Sequence, residues 1–393
     1  MKNVTTARCV VCGATFDPVP GLHNCTVCGG ILDIQYDYPA IAKEFTKEDL
    51  AANPDTSMWR YRPLLPIEEG TVPPPLRVGG SPFYLADRLA AELGMTGSLW
   101  VKDDGQNPTA SLKDRASAMA VAKAIEAGAD TICCASTGNA ASSLAGNAAA
   151  AGLKTVIFVP RRAPEGKVAQ LRIFGADVTL VDGSYEETFQ QSEACIKEKG
   201  YYSRNAAINP YLVEGKKTVA FEIAEQLNWQ LPNYVAVSVG DGCTIAGVWK
   251  GFCDLFSIGF IEELPKLISV QAAGCCPLNT CIETGGTLEP SEENTLADSI
   301  AVGVPRNPDK AFMAVTESEG VTVNVTDEEI LAAMRLLGRT QGVFAEPAAA
   351  AALAGVKKAL ADGKVPADAS IVTIVTGNGL KDTANGIKAA QEG

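Results

Sequence analysis

The sequence predicts an α/β protein with two doubly wound, three-layer domains that follow a small cysteine-rich unit. From about residue 81, apolar strand-like runs alternate with alanine-rich helical stretches, and the second half repeats this alternation. Such an order is typical of parallel sheets covered by helices on both faces. The chain has 393 residues, more than one compact core accommodates. We predict a zinc-ribbon-like segment at 1–38, a large domain at 39–108 and 205–393, and a small domain at 109–204.

The first element is the cysteine-rich segment, which has the spacing of a structural zinc ribbon. Cys9 and Cys12 form one Cys-x2-Cys pair, and Cys25 and Cys28 form a second. Four thiolates on two turns complete the tetrahedral coordination of zinc and leave no open position for catalysis. His23 lies between the pairs, and we interpret it as a loop residue.

The next elements are a helix and an irregular, proline-rich connection within 39–80, followed by the alternating region. In that region the predicted strands are 98–105, 130–136, 154–160 and 176–183, and the predicted helices are 114–129, 140–153 and 167–176.

The second half continues with strands and capped helices. The predicted strands are 234–240, 266–273 and 370–377, and the predicted helices are 245–252, 326–342 and 345–360. Thr326 and Glu329 form the pattern of a capping box at one helix start. Because α/β domains bind ligands at the carboxyl ends of their strands, we expect the site at those ends.

Composition excludes several classes of function. The net charge is −13 and no basic stripe occurs, so we expect no nucleic-acid partner. The N-terminus lacks a signal-peptide core and no run is long enough for a membrane span, so we expect a cytoplasmic protein with no membrane contact. In that compartment the twelve cysteines are reduced thiols or metal ligands. Cys133, Cys134, Cys275 and Cys276 are interpreted as small buried hydrophobic residues.

His23 is the one histidine, and it lies far from the other motifs in the sequence. A Ser–His–Asp or Cys–His mechanism and a histidine-based metal hydrolase are therefore excluded. Acid–base chemistry must come from Lys, Asp, Glu, Tyr or a cofactor.

Two motifs in the first half carry chemistry. In NPTASLKDRAS, residues 107–117, Lys113 is flanked by small residues at a predicted helix start, where desolvation makes an amine nucleophilic. The alternative is a lysine that only solvates the helix end. In ASTGNAASS, residues 135–143, a turn opens a helix and presents amides and hydroxyls to a carboxylate or phosphate. The alternative there is an ordinary capped helix.

Two further motifs follow strands in the second half. The loop Gly240-Asp241-Gly242-Cys243-Thr244 has the glycines of a phosphate-binding turn, but it matches neither a P-loop nor GxGxxG. A tight turn without a ligand is the alternative. In VTGNGLKD, residues 375–382, Thr376 can form a hydrogen bond with a heterocycle nitrogen without charging it.

In this order the motifs resemble the threonine synthase family, within the fold-type II enzymes that use pyridoxal phosphate (PLP). The resemblance covers nearly the whole chain, including the Cys-x2-Cys ribbon, NPYLVEGKKTVAFEIAEQ and GVFAEPAAAAALAG. It implies a PLP-dependent carbon–oxygen lyase that converts O-phosphohomoserine and water to threonine and phosphate, with PLP bound by the large domain.

The resemblance also implies roles for individual residues. Lys113 matches the lysine that bonds covalently to PLP and moves protons. Asn139 matches the asparagine at the pyridine hydroxyl, and Thr376 matches the neutral partner of the pyridine nitrogen. Ser136, Thr137 and Gly138 match the turn that holds the substrate carboxylate. The loop at the cofactor phosphate is matched by Gly240, Asp241, Gly242, Cys243 and Thr244.

The sequence departs from the family pattern at two positions. Many members read NPYR where this chain has Leu212 after Asn209-Pro210-Tyr211, and that arginine binds the substrate phosphate. They also often carry threonine in place of Ala140. Loss of an arginine–phosphate pair removes a contact worth about 1.5–3 kcal/mol. Candidate replacement cations are Lys167, Lys216, Lys217, Arg161 and Arg162.

Other functions therefore remain open. A cysteate synthase that uses phosphoserine and sulfite, or a threonine or serine dehydratase, would share the PLP residues. A zinc-ribbon binding module with an inactive α/β body is an alternative of another class, although the joint presence of Lys113, Asn139 and the 240–244 loop disfavours it. Family members often dimerise, so a homodimer is the assembly that the resemblance implies.

Overall fold

A computed structural model describes residues 1–161, 163 and 165–391. The strands in these residues are β1 (Val4–Cys9), β2 (Thr15–Phe16), β3 (Leu32–Tyr36), β4 (Phe83–Leu85), β5 (Leu99–Asp103), β6 (Thr131–Ala135), β7 (Lys154–Pro160), β8 (Asp177–Val181), β9 (Tyr202–Ser203), β10 (Tyr234–Ser238), β11 (Lys266–Ala272), β12 (Val321–Val325) and β13 (Ile371–Val375).

The α-helices of the same residues alternate with these strands. They are α1 (Tyr38–Glu44), α2 (Lys47–Ala52), α3 (Asp87–Glu92), α4 (Lys113–Glu126), α5 (Asn139–Ala151), α6 (Glu165–Ile173), α7 (Tyr185–Lys199), α8 (Tyr211–Lys216), α9 (Thr218–Gln226), α10 (Cys243–Ser257), α11 (Pro277–Thr284), α12 (Pro308–Glu317), α13 (Asp327–Gln341), α14 (Pro347–Ala361) and α15 (Thr383–Gln391). Short 3₁₀ segments occur as well, including Met58–Leu64 in the proline-rich connection.

The chain divides into two compact units. Unit 1 comprises Met1–Gly80 and Asn107–Thr218, and unit 2 comprises Ser81–Gln106 and Val219–Gly393. The predicted large and small domains have other bounds, and those bounds stay a prediction.

Unit 1 contains a ribbon and a parallel sheet. The ribbon is an antiparallel sheet in the order β2-β1-β3, and the parallel sheet has the order β8-β7-β6-β9. Its apolar core joins α4 and α5 to β6 and β7 through residues such as Ala120, Leu144 and Ile157. All five residues of the central strand β6 are buried, which explains why β6 reads as a nearly continuous apolar run.

Unit 2 is built on a sheet in the order β12-β11-β10-β13-β5-β4. All its pairings are parallel except that of β4 with β5 at the edge. The alanine-rich helix α14 packs on this sheet, and Gly355 lies so close that a Cβ there would meet Val270 Cγ2 at 2.2 Å. The predicted α/β class with parallel sheets is thereby confirmed.

Most predicted elements are confirmed within a few residues. Thr326 and Glu329 form the predicted capping box at α13. The helix predicted at 245–252 is longer, because α10 begins at Cys243 directly after the glycine turn. Cys133, Cys134 and Cys275 are buried as predicted, but the prediction was wrong for Cys276, which is half-exposed before the first turn of α11.

Candidate active site

Lys113 lies at a helix start, as the sequence predicts, and is the first residue of α4. Its side chain is half-buried. The residues that precede it form a tight loop in which Ala110 has a φ of 68°, an uncommon conformation for a residue with a side chain. Asn107 Oδ1 accepts a hydrogen bond from Gly79 N at 2.9 Å. Ser111 is fully buried, and its hydroxyl has no partner among the described residues. A strained loop with an unsatisfied hydroxyl beside a lysine is a feature of ligand sites.

Asp114 fixes this loop, and sequence reasoning missed it. Its buried carboxylate accepts from Thr109 N at 2.8 Å, from Thr109 Oγ1 at 2.9 Å and from Asn147 Nδ2 at 2.8 Å. Helix α5 also approaches the loop at Gly146, where a Cβ would meet Thr109 Cγ2 at 2.6 Å. An acidic residue in the first turn of a helix was the available signal. Asp114 thus holds the backbone that carries Lys113.

The second predicted motif is the turn between β6 and α5. Ser136, Thr137 and Gly138 are half-buried there, and Asn139 begins α5 as a buried residue. Gly138 N donates to Ser136 Oγ at 3.1 Å, so the turn is held by its own side chain. The first amides of a helix lack intrahelical acceptors and lie at the positive end of its dipole. The turn is therefore suited to an anionic group.

A direct contact links the helices that carry these two motifs. Ser117 Oγ and Ser143 Oγ are 2.7 Å apart, and each residue lies one turn after its helix start. Arg204, a buried cation that follows β9, donates from Nε to Ser117 Oγ at 3.1 Å. The Ser117–Ser143 contact thus links α4 and α5 one turn after their starts, and the buried Arg204 is bonded to the same contact.

In unit 2 the loop Gly240–Thr244 follows β10 and leads into α10. Gly242 has a φ of 86°, and a Cβ there would meet Asn307 O at 2.5 Å. Asp241 supports the neighbouring chain, because its carboxylate accepts from Arg306 N at 3.2 Å and its carbonyl from Asn307 N at 3.0 Å. The positive φ and the close approach of Asn307 O mean that glycine is required at position 242. The side-chain amide of the buried Asn307 has no partner for either of its polar atoms in the described part of the chain.

Thr376 follows β13, which pairs in parallel with β10. Because both strands end at the same edge of the sheet, unit 2 brings Thr376 and the 240–244 loop to one edge. Gly377 fixes the segment, since its carbonyl accepts from Glu346 N at 3.0 Å and a Cβ there would meet Glu346 Oε1 at 2.3 Å.

The donors in each unit suit PLP. Unit 1 supplies an amine at Lys113, a buried amide at Asn139 and a turn for a carboxylate. Unit 2 supplies a glycine turn before a helix and a half-buried hydroxyl at Thr376. No histidine is needed for any of these contacts.

The cysteines of the ribbon form the predicted cluster. The sulfur atoms of Cys9, Cys12, Cys25 and Cys28 lie within 4.8 Å of one another. Thiolates around tetrahedral zinc are about 3.8 Å apart for zinc–sulfur bonds of about 2.3 Å, so the cluster has the size of a metal site. Burial opposes ionisation of Cys9, but the amides of Cys12 and Val11 lower the pKa of its thiol to about 7. His23 lies exposed in the loop and outside the cluster.

Leu212 stands where many family members have an arginine, and its side chain offers no charge or donor to a phosphate. It is buried in the apolar core of unit 1. Among the candidate cations, Arg161 forms an exposed ion pair with Asp182, and Lys217 is fully buried against Glu214 at 2.6 Å. Lys216 is also buried, Lys167 is half-buried, and Arg162 lies outside the described residues.

None of the helices in the described residues combines the length and apolar character that a membrane crossing requires.

Comparisons with known proteins agree with this arrangement. A family model described as pyridoxal-phosphate dependent enzyme matches residues 75–377. The chain is 40% identical to threonine synthase of Methanocaldococcus jannaschii over 98% of this chain and 95% of the relative. It is 39% identical to threonine synthase of Methanosarcina acetivorans over 98% of this chain and 94% of the relative.

Solved structures share the fold at lower identity. Threonine deaminase isoform 2 of Solanum lycopersicum has a TM-score of 0.68 at 23% identity and covers 79% of this chain and 82% of its own. Serine racemase of maize has a TM-score of 0.66 at 22% identity and covers 79% of this chain and 92% of its own. These likenesses confirm the predicted fold of type II. The chain therefore belongs to the family of pyridoxal-phosphate dependent enzymes, within its threonine synthase group, and the predicted class of lyase is confirmed.

Proposed function

We propose that the protein converts O-phosphohomoserine and water to L-threonine and phosphate. The observation that carries the proposal is the identity of about 40% to threonine synthases over nearly the whole of both chains. Over the whole reaction, the α carbon gives up a proton that is later returned to it, and the β carbon loses one proton. The γ carbon–oxygen bond breaks with release of phosphate, and the γ carbon gains a proton. Water then adds its oxygen at the β carbon.

Each motif has a role in this reaction. PLP supplies an electron sink for the carbon from which a proton is removed. Lys113 bonds to the cofactor through Nζ and carries protons to and from substrate carbon. Ser136, Thr137 and Gly138 bind the substrate carboxylate, and Asn139 hydrogen-bonds the pyridine hydroxyl.

Unit 2 contributes the remaining contacts. The backbone amides of the 240–244 loop hold the cofactor phosphate, since a glycine turn before a helix offers unpaired donors. The Thr376 hydroxyl donates to the pyridine nitrogen and leaves it neutral. Asp241 supports the loop through Arg306 N, which keeps its negative charge directed to the protein backbone.

We propose zinc as the ion of the cysteine cluster, where four thiolates leave no position for a substrate. We also propose a cytoplasmic enzyme that acts on a small amino acid, assembles as a homodimer and binds no nucleic acid. The net charge of −13 supports the last point.

Arg204 is the cation that we propose in place of the family arginine. It follows β9, beside the strand that leads to the 136–138 turn, and its amide donates to Cys133 O at 2.9 Å. It is buried, so its charge acts in a medium of low polarity. We expect Arg204→Met to raise the KM for O-phosphohomoserine at least about tenfold, which corresponds to about 1.4 kcal/mol. Arg204→Lys should recover part of this loss, and Arg161→Met should change little. An unchanged KM in Arg204→Met would assign the phosphate to another group.

The test of the proposed function is product analysis. The purified protein is given O-phosphohomoserine in one reaction, O-phosphoserine with sulfite in a second, and serine or threonine alone in a third. We expect threonine and an equal amount of phosphate in the first. Product only in the second would identify a cysteate synthase, and 2-oxo acid only in the third a dehydratase; either result contradicts the proposal.

A further inference from the structure

The ribbon makes hydrogen bonds to the body of unit 1 through the loop between its two cysteine pairs. Tyr211 OH donates to Val19 O at 2.7 Å, and Tyr202 OH donates to Pro20 O at 2.9 Å. The segment between the pairs contains β2, which pairs with β1, and continues as the loop 17–24. The cluster holds both ends of this segment, because Cys12 precedes it and Cys25 follows it. An ion in the cluster therefore fixes the two carbonyls that these tyrosines meet.

A second contact comes from the ribbon sheet. Tyr36, the last residue of β3, donates from its hydroxyl to Glu214 Oε2 at 2.5 Å. Lys217 Nζ pairs with the same oxygen at 2.6 Å and lies 4.1 Å from the centre of the Tyr36 ring. Tyr211, Glu214 and Lys217 all belong to α8 or its C-terminal end, so the ribbon holds that helix at two places.

Helix α8 in turn packs directly on α4. A Cβ at Gly215 would meet Arg115 O at 2.2 Å, which means that the two backbones are in contact. Arg115 Nη1 donates to Thr218 Oγ1 at 2.9 Å, and the Tyr211 ring lies 4.6 Å from Lys123 Nζ. Arg115 is two residues after Lys113, so a displacement of α8 reaches the start of α4.

Tyr202 provides a parallel connection. Its hydroxyl also accepts from Asn209 Nδ2 at 3.1 Å, and Asn209 Oδ1 accepts from Tyr211 N at 3.0 Å. Two residues after Tyr202, Arg204 donates to Ser117 on α4.

The hydroxyls of Tyr202 and Tyr211 need the carbonyl acceptors that the ribbon loop supplies. Both residues are buried, and burial raises the pKa of each phenol well above its usual range, so both remain donors. A buried donor that loses its acceptor is left unsatisfied, and the structure must rearrange or admit water to restore a partner.

We propose that the metal-bound ribbon positions the cofactor lysine, with Tyr202 and Tyr211 as the positioning residues that transmit the order of the 17–24 loop through α8 to α4. The proposal rests on the proposed role of Lys113. Loss of the ion frees the loop, the tyrosines lose their acceptors, and the start of α4 becomes less ordered. The ribbon thereby acts on cofactor binding without a contact to the cofactor.

The test is a cycle between zinc removal and removal of the two hydroxyls. Tyr202→Phe/Tyr211→Phe is compared with the original protein, each with zinc bound and after treatment with a chelator. Tyr201→Phe, a half-buried neighbour in the same unit, is the matched control. The readouts are zinc content, PLP affinity from absorbance titration, and hydrogen–deuterium exchange of α4 and α8.

We expect the double variant to retain zinc, to bind PLP at least about threefold more weakly and to exchange faster at the start of α4. Chelation should weaken PLP binding in the original protein and in Tyr201→Phe, but add little in the double variant. Equal effects of chelation in all three proteins, or unchanged exchange in α4, would overturn the proposal. A protein without any PLP absorbance would contradict the proposed cofactor role of Lys113 instead, because exchange of α4 and α8 can be measured without the cofactor.

Discussion

Lys113 and its neighbours illustrate how single residues set the chemistry. The lysine could be predicted from its small neighbours and its place at a helix start. The hydrogen bonds that fix the loop before it could not be predicted. Asp114 looks like an ordinary first-turn acid in the sequence, whereas its carboxylate holds Thr109 and Asn147 from two other segments. Such partners are brought together only by tertiary packing, which no local pattern records.

The first prediction concerns Lys113 itself. Lys113→Ala should abolish the visible absorbance of bound PLP and all turnover, because the variant lacks the amine to which we assign the covalent bond. Absorbance spectra of the purified variants measure this effect. Lys154→Ala, at an exposed position at the start of β7, is the control and should keep the spectrum of the original protein.

Asp103 gives a prediction about pH. Burial at the carboxyl end of β5 raises the pKa of its carboxyl, despite hydrogen bonds from Gln106 and Gly105 that lower it. The folded state therefore binds this proton more tightly than the unfolded state, and the resulting stability is present below the ordinary pKa of about 4 and is lost as pH rises through the folded value.

Asp103→Asn removes this dependence. Relative to the original protein, the melting temperature of the variant should rise between pH 4 and pH 7. Thermal unfolding at both values checks this, with Asp368→Asn at an exposed loop position as a control for the loss of one charge. A variant that loses relative stability over that interval would contradict the assignment.

At the scale of elements, the buried parallel strands and long helices were predictable because their apolar runs are continuous. The short elements were not: β4 has three residues and is largely exposed, and α8 has six residues beside a proline. Their existence depends on partners, since β4 pairs with β5 and α8 packs on α4. The loops at strand ends were found because their glycines and hydroxyls are visible in the sequence.

The 240–244 loop offers a test at this scale. Gly242→Ala combines a positive φ, worth about 1–2 kcal/mol, with a clash against Asn307 O. We expect PLP affinity to fall at least about tenfold, as the displaced amides no longer meet the phosphate. Gly259→Ala, at the other end of α10, has a φ of 76° and open space around its Cβ, so it carries the strain alone. Similar PLP affinity in the two variants would show that the loop geometry does not serve the cofactor.

At the scale of the whole molecule, the chain forms two compact units, and the first of them includes the ribbon. The strong alternation of strands and helices predicted the α/β class with parallel sheets, but the sequence could not show that the 1–80 segment belongs to the same unit as Lys113. That connection arises from the hydroxyls of Tyr211 and Tyr202, which donate to ribbon carbonyls 192 and 182 residues away in the chain. Long-range contacts of this kind have no signature in local composition.

The proposed conversion of O-phosphohomoserine to threonine is tested most directly by isotope labelling. The measurement is turnover of O-phosphohomoserine in water enriched in ¹⁸O, with mass spectrometry of both products. Because the proposed reaction breaks the carbon–oxygen bond at the γ carbon and adds water at the β carbon, threonine should carry one ¹⁸O and the released phosphate none. Label in the phosphate together with homoserine, or no threonine at all, would contradict the account.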